Sequence, residues 1–398
     1  MPRSVRRSSH SYESDENRLA RIVSTYDSQG DHRTATHADT LSAMWLRQEV
    51  RELGISAACE SFFLNRVDPR SCYLQVDGRH IGGVPLFDAR FTSAGGVSGK
   101  FGVFGSDADI ALLSSDASMS TKGGEKPRGA LEQIRSSGYK GIVMLTVGAR
   151  VGLSLINATF FGRTNGPPTI QISSEEATWL QDRARRRMAA KLVLQVSKRR
   201  ARGLNVTARV PGANKTLSPI VISTPRSGWW HCASERGGGL ACWLDTMRLL
   251  SSKRAQRDCY FVALTGHELG FLGIKEYLRR RPALLERVHT WIHFGANLGA
   301  PRSVLRLQTS DGHLRAMASE FLTQAGAEIE KDAAVGGIPR GEASILQRNG
   351  VRYLAPIGES AVFHHASDRW PDALDIAGLA RQSTAFSHLV LKLASNSH

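Results

Sequence analysis

Four stretches of this 398-residue chain gather side chains able to do chemistry. Residues 224–235 read Thr-Pro-Arg-Ser-Gly-Trp-Trp-His-Cys-Ala-Ser-Glu, and a second stretch is Gly266-His267-Glu268. The third is Gly295-Ala296-Asn297, and residues 363–368 read Phe-His-His-Ala-Ser-Asp. A histidine beside carboxylates suits metal ligation or proton transfer, because imidazole titrates near neutrality. Gly266-His267-Glu268 is not an H-E-x-x-H helix, since position 271 is Phe, and a His and Glu there also serve as ordinary loop and cap residues. His231, Cys232 and Ser234 offer nucleophile chemistry, but neighbours on an extended loop point to opposite sides and no orienting acid is identifiable. Trp229 and Trp230 either line a substrate pocket or plug the space above a sheet. Gly237 to Gly239 suit a phosphate cradle or, as favoured here, a helix packed closely on the sheet.

The elements that must position these loops are legible from apolar patterning. Residues 219–223, 260–265 and 291–294 read as buried strands. A helix beginning near Gly239 carries Leu240, Trp243, Leu244, Met247 and Leu250 at helical spacing. Strand, Gly-rich loop and amphipathic helix in succession predict a doubly wound α/β sheet, whose sites lie beyond the carboxyl ends of the strands. Upstream, residues 16–26 and 38–53 read as helices, the second with Leu41, Met44, Trp45 and Val50 on its period. Residues 76–195 are Gly-rich with short strand-like runs at 139–145 and 168–172, which predicts a β-rich insertion. The expected organisation is a disordered basic N-terminus over 1–15, an N-terminal part of the main domain over 16–75, the insertion over 76–200, and the α/β domain over 204–398.

The net charge of +16 attracts anions in general. The basic runs at 183–187 and 198–202 lack the interleaved aromatics that stack on bases, so no nucleic-acid partner is expected. No membrane partner is expected either, because no window is apolar enough for a spanning helix. The first 18 residues lack an apolar export segment, and five scattered cysteines without C-x-x-C pairing read as reduced thiols, so a cytoplasmic location is expected.

The loop order resembles that of the family-28 zinc peptidases, which include bacterial aminopeptidases, glutamate carboxypeptidase II and, more distantly, the glutaminyl cyclases. Gly266-His-Glu-Leu-Gly-Phe-Leu-Gly273 resembles their Glu-Glu-x-Gly-Leu-Leu-Gly signature, and the segment ending in Gly166-Pro-Pro-Thr-Ile-Gln-Ile-Ser173 resembles their protease-associated insertion. The resemblance implies a doubly wound mixed sheet of the zinc aminopeptidase type with that insertion. It also implies ligand positions, several of them altered. Thr224 and Arg226 stand where the family has a zinc-binding His and its orienting Asp, and Ala296 or Asn297 stands where another Asp ligand falls. Glu235 matches the metal-bridging Asp, Glu268 the zinc-binding glutamate, and His267 the catalytic glutamate beside it. His364, four residues before Asp368, matches the last ligand, with His365 as the alternative.

The expectation is therefore one zinc held by Glu235, Glu268 and His364, as in the one-zinc glutaminyl cyclases, with His267 as base and Arg226 assisting catalysis. Arg226 would pair with Glu235 or with a substrate carboxylate, and Trp229, Trp230, His231, Asn297 and His365 are further candidate substrate contacts. The implied activity is hydrolysis of an amide or peptide-like bond in a small, anionic substrate. The alternatives are a catalytically inactive binding or scaffold module, and cyclisation of the glutaminyl cyclase kind.

Overall fold

The computed structural model describes residues 15–116, 132, 134–330 and 335–396. The expectation for residues 1–15 therefore lies outside the described residues, apart from Asp15. That residue opens the first helix, Asp15–Asp27, and a second helix follows over His37–Glu52.

The centre of the main domain is a run of parallel strands in the spatial order Tyr353–Ile357, Thr290–His293, Ile220–Pro225, Cys259–Leu264. Arg306–Thr309 adds an antiparallel edge on one side, and the 22-residue strand Ala189–Val210 closes the other. Parallel strands covered on both faces read as near-continuous apolar runs, which is why Ile220–Pro225 is buried along its whole length. The helix Gly238–Ser251 packs on one face with Leu240, Trp243, Leu244, Met247 and Leu250 buried, as its period predicts. Gly238 and Gly239 let it approach: a Cβ at Gly238 would lie 1.9 Å from the Leu298 carbonyl oxygen, and one at Gly239 2.7 Å from Thr224 Oγ1.

Ala189–Val210 pairs along nearly its whole length with the 20-residue strand Ala57–Val76, and this ribbon carries the sheet on to the strands of residues 84–173. There Val97–Val103, Ile110–Asp116, Gly141–Val147, Thr169–Ser173 and Val84–Pro85 continue the order, around a core of their own that includes Phe101, Val143 and Ile170. In the helix His37–Glu52 the face differs from expectation. Leu41 and Met44 point outward, and Ala43, Leu46 and Val50 are buried with Ser42 and Asp39. Asp39 faces inward because it anchors a buried arginine, described below. Among the described residues no helix is long and apolar enough to cross a membrane.

Candidate functional site

The site is built at the carboxyl ends of the parallel strands. After Ile220–Pro225 the chain turns through residues 226–232 and enters a wide, π-type turn, Ala233–Gly237, before the helix Gly238–Ser251. Both oxygens of Asp368 cap that turn, accepting hydrogen bonds from Ser234 N at 2.7 Å and Glu235 N at 2.9 Å. Burial pushes the Asp368 carboxyl up to about 7 despite these bonds.

Glu235, thus fixed, is buried and faces two partners. Its Oε1 stands 2.6 Å from Arg236 Nη2 as an ion pair out of hydrogen-bond alignment, and 3.4 Å from His364 Nε2. Its Oε2 takes the His364 backbone N–H at 3.3 Å and the Cys232 thiol at 3.7 Å. Burial would raise the Glu235 pKa, but Arg236, His364 and His267 together outweigh it and hold the carboxylate ionised. Burial lowers His364 to about 4, so that imidazole is neutral at pH 7. Burial, reinforced by Glu235 and Asp368, drives the Cys232 thiol far above its ordinary value, which removes it as a nucleophile. Arg236 is itself fully buried, its Nε donating to Ser227 O at 2.8 Å.

A second cluster surrounds His267. Its Nδ1 lies 2.8 Å from both oxygens of Glu342, which precedes the helix Ala343–Arg348. Glu342 also faces His293 Nε2 at 3.4 Å, and His293 Nδ1 shares a 2.8 Å hydrogen bond with Ser223 Oγ. Burial opposes ionisation of Glu342, yet His267 and His293 hold its pKa well below the usual range. His267 in turn acts electrostatically on Glu235 and His364.

Glu268 belongs to neither cluster. Its Oε1 accepts the Thr34 N–H at 2.6 Å and its Oε2 the Ser227 hydroxyl at 2.7 Å, and burial raises its pKa. Ser227 Oγ accepts the Gly266 N–H at 2.8 Å, so Glu268 ties together the loops around Ser227, Thr34 and Gly266.

Arg226 pairs with neither Glu235 nor a cleft-facing group, which corrects the expected pairing. Its guanidinium is buried behind the strand ends, donating to Asp39 O at 2.6 Å and Leu204 O at 2.7 Å, with Asp39 Oδ1 at 2.9 Å. The geometry gives it a strut between strand and helix. His231 turns toward the end of the first helix, its Nδ1 2.7 Å from Asp27 O. Asn297 has a left-handed backbone, and its N–H reaches Ser234 O at 3.1 Å. His365 shares a 2.7 Å hydrogen bond with Ser367 Oγ and lies against Gly152.

Residues 155–158 bond to the loops of the site. Leu155 N bonds to His364 O at 3.2 Å, Ala158 N to Glu268 O at 2.8 Å, and Trp229 Nε1 to Asn157 Oδ1 at 2.9 Å. Trp230 Nε1 donates to His364 O at 2.8 Å. Both tryptophans also wall a cavity of about 520 Å³ with Arg33, His37, Phe87 and Leu155; Glu235, His267, Glu342 and His364 do not line it.

The expected zinc set can be tested on this geometry. Glu235 Oε1 and His364 Nε2, both buried without an aligned hydrogen bond, stand at a separation that one cation could bridge. The third expected ligand, Glu268, has both oxygens committed to Thr34 and Ser227. Among the described residues no three His, Cys, Asp or Glu side chains group closely enough to hold a metal. A divalent ion on Glu235 Oε1 would also sit within roughly 4 Å of the Arg236 guanidinium. Twice the ~4 kcal/mol between unit charges at that distance is a repulsion of about 8 kcal/mol. The residues do not fit a zinc ion held as expected.

Comparison with solved structures places the architecture. The zinc aminopeptidase BSAP from Bacillus subtilis aligns over 96% of this chain and 95% of its own, with TM-score 0.75 and 17% identity. The chain carries the zinc aminopeptidase fold. The aminopeptidase from Aneurinibacillus sp. strain AM-1 aligns over 97% and 95% with TM-score 0.69 and 16% identity. The Peptidase M28 precursor from Shewanella amazonensis SB2B aligns over 97% and 98% with TM-score 0.74 and 18% identity. Neither a protein-family model nor a curated protein sequence matches the chain.

Within this aminopeptidase fold, Arg236, Glu342, His293, Ser227 and Asp39 are site or support residues that the sequence did not reveal. Arg236 had one available signal, its place directly after Glu235. Glu342 had none, being a single glutamate in a polar stretch 75 residues from His267.

Proposed function

We propose that the chain is a hydrolase of an amide or peptide-like bond, with His267 as the general base. The observation that carries this reading is the His267–Glu342 pair. A buried carboxylate on Nδ1 fixes the ring and its tautomer, which leaves Nε2 to take a proton. In the reaction, His267 Nε2 accepts a proton from a water as that water attacks the substrate carbonyl carbon. The same imidazolium then returns the proton to the departing amine nitrogen. Glu342 stabilises the imidazolium. The net positive charge of the chain suits an anionic substrate. Support also comes from the fold shared with proteins named as aminopeptidases.

A second reading is a binding module without turnover. It is favoured by the burial of Glu235, Glu268 and Glu342 and by the backbone bonds that Leu155 and Ala158 make to His364 and Glu268. Amine release from a panel of N-acyl amino acids and dipeptides, compared between wild type and Glu342→Gln, separates the two. Turnover that falls in the variant supports the hydrolase, and binding without turnover in both proteins supports the module.

A further inference from the structure

We propose that the buried guanidinium of Arg236 takes the place of the metal ion, making the polar centre metal-independent. This deepens the hydrolase reading and rests on the same centre. The resemblance aligns Glu235 with a metal-bridging carboxylate, and its Oε1 is the atom that both Arg236 Nη2 and His364 Nε2 approach, at 2.6 and 3.4 Å. A positive charge is thus supplied covalently where the fold would receive one from solution.

Three further features agree. Arg236 is fully buried, so its charge is neutralised locally by Glu235 and not by water. Its Nε is anchored on the Ser227 carbonyl oxygen, which fixes the guanidinium rather than leaving it free to swing aside for an ion. Ser227 also donates its hydroxyl to Glu268 Oε2 at 2.7 Å, so the same residue braces the guanidinium and the third expected ligand. Metal exclusion is built from the loop that in the resembling family supplies ligands.

The test is elemental analysis of the full chain, purified without chelators or a histidine tag and dialysed against zinc, for wild type, Arg236→Met and His364→Ala. The expected result is no stoichiometric zinc in wild type, a melting midpoint indifferent to EDTA, and zinc uptake appearing in Arg236→Met. One zinc per wild-type chain, lost in His364→Ala, overturns the proposal, as does equal zinc uptake by wild type and Arg236→Met. The wild-type measurement stands even if a variant does not fold. A zinc-free but inactive chain would sink the hydrolase reading and leave this inference intact. An active chain holding zinc on His364 would do the reverse.

Discussion

Replacing Arg226 with Met tests whether that arginine is a strut or a substrate contact. The substitution keeps much of the stem but removes donors 2.6 Å from Asp39 O and 2.7 Å from Leu204 O, and the cation 2.9 Å from Asp39 Oδ1. Asp39 keeps only the Ala35 N–H and the Thr265 hydroxyl, at 2.7 Å and 2.9–3.0 Å. Both members of the pair are buried, so breaking it leaves an uncompensated charge at a cost of about 3–5 kcal/mol. Each orphaned carbonyl adds on the order of 1 kcal/mol. Asp39→Asn in the same chain removes that charge, so the double variant should fall short of the summed losses by about 2 kcal/mol. Urea denaturation of the four proteins, at constant m, measures this cycle. A loss under about 1 kcal/mol in Arg226→Met, accompanied by a raised KM for amide substrates, would refute the strut and return Arg226 to the cleft.

Other outcomes follow from the same contacts. His267→Gln should lower kcat about 10²- to 10⁴-fold with little change in urea midpoint, checked by steady-state kinetics. Glu342 has a depressed folded pKa, so its contribution to stability is present above the unfolded value of about 4.3 and lost as pH falls through the folded one. Acid unfolding should accordingly be less steep in Glu342→Gln. Asp368 has the opposite sign: raised to about 7, it costs stability as pH climbs from about 4 to 7. Asp368→Asn should flatten that part of the profile while weakening the cap on Ser234 and Glu235 by about 1–3 kcal/mol.

The parallel strands were legible because burial on both faces forces continuous apolar runs. Residues 219–223 and 291–294 accordingly foreshadow Ile220–Pro225 and Thr290–His293 within a residue or two. The loops after residues 219–223, 260–265 and 291–294 follow from the same runs, whereas Tyr353–Ile357, the strand ahead of His364, was not marked by the pattern, and the roles expected of His267, Glu235 and His364 came from the family resemblance. What the sequence hid is long-range pairing of polar groups. Arg226 and Asp39 lie 187 residues apart, and nothing local marks either as buried. Arg236 follows Glu235 directly, yet an arginine in a Gly-rich loop reads as surface until its guanidinium is found fully enclosed. Leu41 and Met44 misled in the converse way. Their apolar character suggested a core face, but the inward side of that helix is claimed by Asp39 and its arginine.

The most direct test of the account is amine release from N-acyl amino acids and dipeptides in excess EDTA, wild type beside His267→Gln. The account predicts turnover by wild type that survives the chelator and falls at least about a hundredfold in the variant. Equal turnover by the two proteins, or turnover that EDTA abolishes and zinc restores, would contradict it.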